Sequence, residues 1–424
     1  MPMTFHRAFA FTAAAIILLV PSASRAEDAA LERAKRVLHA HPVIDGHNDL
    51  PWAIREDAEA PRDVEAYDLR ARTRGATDLE RLREGGVGGP FWSVYVPAEL
   101  PGGFARVQLE QIDIARRMIA RYPERLAFAG TVDEVERAMK EGRVASLLGI
   151  EGGHAIENSL GVLRAYHDLG ARYMTLTHGK TLDWADSATD APRHGGLTRF
   201  GEEVVREMNR LGMLVDLSHV SEETMEDALR VSEAPVVFSH SSARAVCDHP
   251  RNVPDAVLRK MKANGGVVMV TFVNAFVSPV WAAATGPLWK EYEERTRGVA
   301  DPVERARIGK EITARMPKVP VTIAEVADHV DHVRKVTGAD HVGLGGDYDG
   351  NDAWPEGLSD VSGYPRLLAE LARRGWSDED LGKLASGNVL RAMRQAESTA
   401  ARLRKARPAS TATIEALDGA RPLP

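Results

Sequence analysis

The chain has 424 residues, 44% of them hydrophobic and 27% charged, with a formal net charge of −7. That balance suits an enzyme with one large core or two smaller ones and excludes a fibre or a disordered chain. A net negative chain has no global electrostatic case for binding nucleic acid or an anionic membrane, so neither is an expected partner.

Residues 1–26 differ in kind from the rest. His6 and Arg7 precede a mostly apolar stretch over 8–20, and Ser24-Arg25-Ala26 offers small residues where a signal peptidase cuts. We read a secretory signal peptide, and so an exported protein, periplasmic or secreted. The apolar stretch falls short of the roughly 20 residues a spanning helix needs, so no membrane anchor is expected once the leader is removed. Cys247 is the only cysteine. An internal disulfide is therefore excluded, and Cys247 reads as a small packed residue following a strand.

Residues 27–398 read as a single domain. A short helical pattern over 29–39 leads into 43–49, V-I-D-G-H-N-D, an apolar β-branched run that stops abruptly at His47 and Asp49. On a continuing strand these two metal-competent groups face the same side. The polar stretch 56–84 reads as loop plus helix, 86–97 as a strand and 107–120 as a helix.

A regular alternation follows. Strand 144–150 ends in Glu151 and precedes helix 160–169; strand 173–177 ends in His178 and precedes helix 201–211. Strand 213–217 leads to His219, and helix 222–231 is opened by Ser221 as a cap. Strand 235–239 ends in His240 before helix 255–263; strand 266–272 and an amphipathic stretch 321–336 come next. Strand 341–346 ends in Asp347, and helix 364–374 follows. Eight apolar strands separated by helices call for a parallel sheet, most economically an α/β TIM-like (β/α)8 barrel. An open doubly wound sheet is disfavoured, because no G-x-G-x-x-G follows the first strand and ligand-type residues end many strands.

Two segments break the rhythm. The polar, charge-rich stretch 279–320 is a helical insertion after the seventh strand, at the catalytic face of a barrel, where it is a lid, a subunit contact or a solvated hairpin. Residues 399–424 read as a loosely ordered tail.

In a closed barrel the carboxyl ends of all strands share one rim, so His47, Asp49, Glu151, His178, His219, His240 and Asp347 are expected to converge. Four histidines with three carboxylates and no thiolate suit zinc or another borderline divalent ion. They exceed what one tetrahedral site needs. Two ions sharing a carboxylate fit better, and such a pair supports metal-assisted hydrolysis. His154 reads as supporting rather than ligating, His329 and His332 as solvated on an outer helix, and His39 and His41 as lying at the wrong end. Trp184 and Asp186 are candidates to line the pocket.

The motifs V-I-D-G-H-N-D-L-P-W (43–52), G-I-E-G-G-H (149–154), Y-M-T-L-T-H (173–178), D-L-S-H-V-S (216–221), F-S-H-S-S-A (238–243), R-N-V-P-D (251–255) and G-G-D-Y-D-G (345–350) also resemble those of the membrane, or renal, dipeptidase family. The resemblance runs in order from about residue 41 to about 396. It implies a barrel with two zinc ions that cleaves dipeptides and tolerates a D-residue at the carboxyl-terminal position. His47 and Asp49 would bind one zinc, His219 and His240 the other, with Glu151 bridging. His178 would contact substrate near the scissile carbonyl, Arg251 would hold the terminal carboxylate in a bidentate fork, and Asp347 would carry protons. Spacing alone does not choose between Asp347 and Asp349; the family pattern favours Asp347 and leaves Asp349 to support a ligand histidine. The disulfides and lipid anchor of mammalian members are not matched here, so any homodimer would be non-covalent. The competing expectation is a binuclear amidohydrolase acting on N-acyl amino acids or lactones. Such enzymes often carry H-x-H on the first strand, where this chain has H-N-D.

Overall fold

The computed structural model describes residues 22–299 and 301–419. Most of the expected leader lies outside the described residues, as do the last five of the expected tail. Among the described residues no helix is long and apolar enough to cross a membrane.

The strands are β1 (Phe91–Ser93), β2 (Leu126–Phe128), β3 (Val144–Glu151), β4 (Ala171–Thr175), β5 (Leu214–Asp216), β6 (Val236–Phe238), β7 (Val267–Val270) and β8 (Val342–Leu344). Every pairing is parallel, in the order β1-β3-β4-β5-β6-β7-β8, with β2 extending the start of β3 from outside that path. The opening segment that holds His47 is not a continuous strand, but it joins the two edges. Gly46 N donates to Leu344 O at 2.9 Å and Asp49 N to Tyr348 O at 2.8 Å on one side; Phe91 N donates to Asp45 O at 2.8 Å on the other. With this segment the curled sheet forms an eight-membered, TIM-like barrel, and each member matches a strand expected from the sequence. β2 and the helix Val132–Lys140 have no counterpart in the sequence reading.

Successive strand residues divide between two apolar layers, as the two-residue period of a strand requires. Leu147, Tyr173, Val237, Val267 and Met269 fill the barrel interior, whereas Leu148, Met174, Val236, Val268 and Val270 pack outward beneath the helices. Full burial of each such side chain contributes about 1.5–3 kcal/mol before entropy is set against it. The interior parity matters for function: continuing it from Leu147 and Tyr173 puts Glu151 and Thr175 inside the barrel at its carboxyl end. Gly149 is needed on that face. A Cβ there would sit 2.0 Å from the Tyr173 ring, its register partner across β3 and β4.

The outer helices form where expected. Ser221 accepts from Thr224 N and caps Glu222–Val231, whose first turn carries Glu222 and Glu223. The insertion is helical, with Pro279–Thr296 packed on Pro302–Thr313. The tail differs from expectation. Helix Asn388–Ala406 runs past residue 400, and a further helix, Ile414–Asp418, docks on Arg199–Leu211 with Ile414 buried. Cys247 is buried and free, as read.

Candidate metal centre

The site is built where the strands stop. Glu151 is the last residue of β3, His178 follows β4, His219 follows β5, His240 and Arg251 follow β6, and Asp347 follows β8. His219 and Asp347 have φ of 70° and 60°, strained values for non-glycine residues that re-aim their side chains just past a strand.

The structure brings all the expected ligand residues together. Glu151, 5% exposed, divides its two oxygens between two groups. Oε2 lies 3.4 Å from His47 Nε2, which is itself 3.2 Å from Asp49 Oδ2. Oε1 lies 3.1 Å from His219 Nε2, 3.5 Å from His240 Nε2 and 3.7 Å from His178 Nε2. Three overlapping groups each have ligand atoms within 4.8 Å of one another: His47, Glu151 and His240; Glu151, His178 and His219; and His47, Asp49 and Asp347.

This donor set fits divalent metal. Asp49 Oδ1 is buried with no hydrogen-bond partner, and the Nε2 atoms of His219 and His240 face each other at 2.9 Å. Crowded lone-pair donors of this kind are what a cation gathers. The electrostatics agree. Burial, then Arg251 and His178, lowers His219 well below the ordinary imidazole range, and burial, then His47 and Arg251, does the same to His240. Both are thus neutral, the form that binds metal. Burial opposes the charge of Glu151, yet His47 and His178 with hydrogen bonds from His219 and His47 hold its carboxyl well below the usual range. Burial also works to discharge His47, but Tyr173, Glu151 and Asp49 raise it well above the normal value. Burial raises Asp347 well above the carboxylate range, opposed by His47 and aided by Asp49 and Glu151.

Above the cluster opens a cavity of about 590 Å³ lined by Asp49, Glu151, His178, His219, Arg251 and Asp347, with Trp52, Tyr95, Val273 and Phe276 as its apolar wall. Arg251 is 3% exposed. Its guanidinium lies 5.1 Å from the Phe276 ring centroid and donates to His240 O at 3.3 Å and Ser241 Oγ at 3.4 Å, while Nε has no partner. Burial lowers it to about 10 against the nearby carboxylates, which leaves it charged at neutral pH. A cavity of about 620 Å³ at the amino-terminal end, around Lys35, His39 and Arg125, holds no comparable cluster among the described residues.

Several supporting expectations change. Asp349 does not hold a ligand histidine: its φ of 65° turns Oδ1 onto Ala76 N at 2.6 Å. Trp184 is fully buried beside Phe200, and Asp186 accepts from the backbone of Arg193, His194 and Gly196, so both organise their loop and neither lines the cavity. His329 is not solvated: it is fully buried, accepting from Ala243 N and donating to Val277 O. His332 pairs with Asp255 at 2.7 Å. His154 is a supporting residue as read, with Nε2 2.9 Å from Val96 O. The sequence reading assigned no role to Tyr95, which packs against His178 at 4.9 Å, or to Tyr173, whose hydroxyl meets His47 Nδ1 at 2.8 Å. Tyr173 lies in the 173–178 motif and Tyr95 in the strand expected over 86–97, but contact across the barrel carries no local signal.

A parallel barrel with histidines and carboxylates gathered at its carboxyl rim is the architecture of a metal-dependent hydrolase. The family model of membrane dipeptidase, peptidase family M19, matches residues 31–407, and the chain belongs to that metallo-dipeptidase family. Dipeptidase 3 of Mus musculus is 42% identical over 372 residues, covering 86% of this chain and 66% of that protein. The chain thus spans about two thirds of that relative's length. The probable dipeptidase PvdM from Pseudomonas aeruginosa superposes with a TM-score of 0.76 at 25% identity, covering 88% of this chain and 99% of that one. A metallopeptidase from Rhodobacter sphaeroides, liganded with a phosphinate mimic of the dipeptide L-Ala-D-Ala, gives 0.69 at 27% identity, with 84% and 99% covered.

Proposed function

We propose that the protein is a dizinc dipeptidase that hydrolyses free dipeptides, including those with a D-residue at the carboxyl-terminal position. The observation that carries this reading is the division of Glu151, one oxygen toward His47 and the other toward His219 and His240. On this reading His47 and Asp49 hold one ion, His219 and His240 the second, and Glu151 serves both. Bound there, the ions would activate water and polarise the scissile carbonyl.

The chain's own groups do the rest. Arg251 receives the terminal carboxylate in its buried fork and so fixes the distance from substrate end to scissile bond. His178 donates toward the carbonyl oxygen as charge develops on it. Asp347 passes a proton to the leaving amine nitrogen. The relative liganded with an L-Ala-D-Ala mimic supports a D-residue in the second position. We also infer export through the leader, which sequencing of the mature amino terminus checks: Glu27 as first residue is expected.

The test is a panel of dipeptides with L- and D-residues at the second position, one of them amidated, assayed before and after chelation and zinc return. Zinc-restored cleavage of the free dipeptides but not the amide is expected. Equal cleavage of the amide would remove the Arg251 role, and an inactive, zinc-loaded protein would remove the dipeptidase reading.

A further inference from the structure

Beneath the cluster lies a buried carboxylate to which no role in the reaction has been given. Asp216 ends β5, is fully buried, and ties three strands together. Its Oδ1 accepts from Ser218 N at 3.1 Å and Ser239 N at 2.8 Å. Its Oδ2 accepts from Thr175 Oγ1 at 2.5 Å and Ser239 Oγ at 2.6 Å. Ser239 Oγ in turn lies 2.8 Å from His240 Nδ1.

Counting protons settles the direction of that last bond. A carboxylate accepts only, so the single hydroxyl proton of Ser239 points at Asp216. Ser239 Oγ can then only accept from the imidazole, and the proton of His240 sits on Nδ1. Its Nε2 is left with a bare lone pair, aimed at Glu151 and His219. We propose that Asp216 is a positioning residue which, through Ser239, holds His240 in the one tautomer able to bind metal at Nε2. Partners one step removed from a metal commonly set ring orientation and tautomer in this way. The proposal rests on the metal-centre reading above.

Asp216→Asn and Ser239→Ala separate this role from simple packing. An amide can turn its NH2 toward Ser239, so the hydroxyl reverses, donates to His240 Nδ1 and drives the proton to Nε2. Ser239→Ala removes the acceptor without enforcing the wrong tautomer. Zinc affinity, measured by competition with a chromophoric chelator, should fall by roughly 10–100-fold in Asp216→Asn and less in Ser239→Ala. In zinc-free protein carrying 15N-histidine, His240 should give the Nδ1–H signature in wild type and the Nε2–H signature in Asp216→Asn. If Asp216→Asn does not fold, Ser239→Ala decides: zinc affinity and His240 tautomer both unchanged from wild type overturn the proposal, and a several-fold loss sustains it. A folded Asp216→Asn that binds zinc as tightly as a zinc-binding wild type overturns this proposal alone. A wild type that takes up no zinc overturns the metal centre and this inference with it.

Discussion

The rim of the barrel and the helical hairpin that follows β7 are both dense in charge, and they use it in opposite ways. In the hairpin the charges are local and wet. Glu291 grips Arg315 at 2.7 Å, Arg295 reaches Glu311 at 2.6 Å, and Arg307 pairs with Glu304 and Glu311, all with substantially exposed side chains. Such pairs are screened by solvent and contribute little each. At the rim Glu151 and Arg251 are 5% and 3% exposed and have partners from distant strands. Charge marks function only where burial makes it costly and geometry makes it converge.

If that contrast is right, the largest effect should come from the residue on which both halves of the cluster depend. Glu151→Gln keeps the shape and removes the charge. We expect kcat/KM to fall by at least about 10²–10³-fold, with zinc content below that of wild type while the far-ultraviolet circular dichroism is unchanged. Full activity in this variant would break the comparison outright. Arg251→Ala comes next. Loss of a buried charge partner should raise KM by about 10²-fold and change kcat less, and the variant should no longer distinguish a free dipeptide from its amide. Unchanged discrimination would mean that the terminal carboxylate is held elsewhere.

The same contrast explains what the sequence could reveal. Six members of the barrel were legible because an apolar run ending in a histidine or acid is a strong local pattern, and 86–97 and 266–272 were legible from their aromatic and β-branched residues alone. β2 was not, since Leu126–Phe128 carries no β-branched residue and ends exposed. The candidate ligand residues could be named because closure of a barrel puts every strand end at one place. Arg251 could be singled out only by family resemblance, because its burial under Phe276 is a tertiary event. His329 was misread for a similar reason: the turn before the hairpin, through Val277 O, covers a helix face that its sequence spacing leaves open. Asp349 and Asp347 share a parity in sequence, and two left-handed backbone positions send one to Ala76 and the other to the cluster. The tail was read as loose for want of large apolar residues, yet Ile414 and the capped Ile414–Asp418 turn suffice to dock it, with Asp418 accepting from Phe200 N at the start of the neighbouring helix. Ile414→Ala should accordingly cost about 1–3 kcal/mol in a denaturant titration and leave kcat unaltered.

The smallest effect is expected in the hairpin, and it is the one that tests the argument about charge most directly. Arg315 makes two hydrogen bonds to Glu291, at 2.7 and 2.8 Å, a better geometry than any ion pair at the rim. On contact distance alone it would outrank them. Its side chain is 53% exposed, however, so water solvates both partners in its absence and the released arginine regains its rotamers. Arg315→Ala should therefore shift the melting temperature by no more than about 2 °C and leave KM and kcat at wild-type values. A large loss of activity with little loss of stability would show that the hairpin closes over the cavity, where Val273 and Phe276 at its root already form the wall, and would move it from scaffold to site.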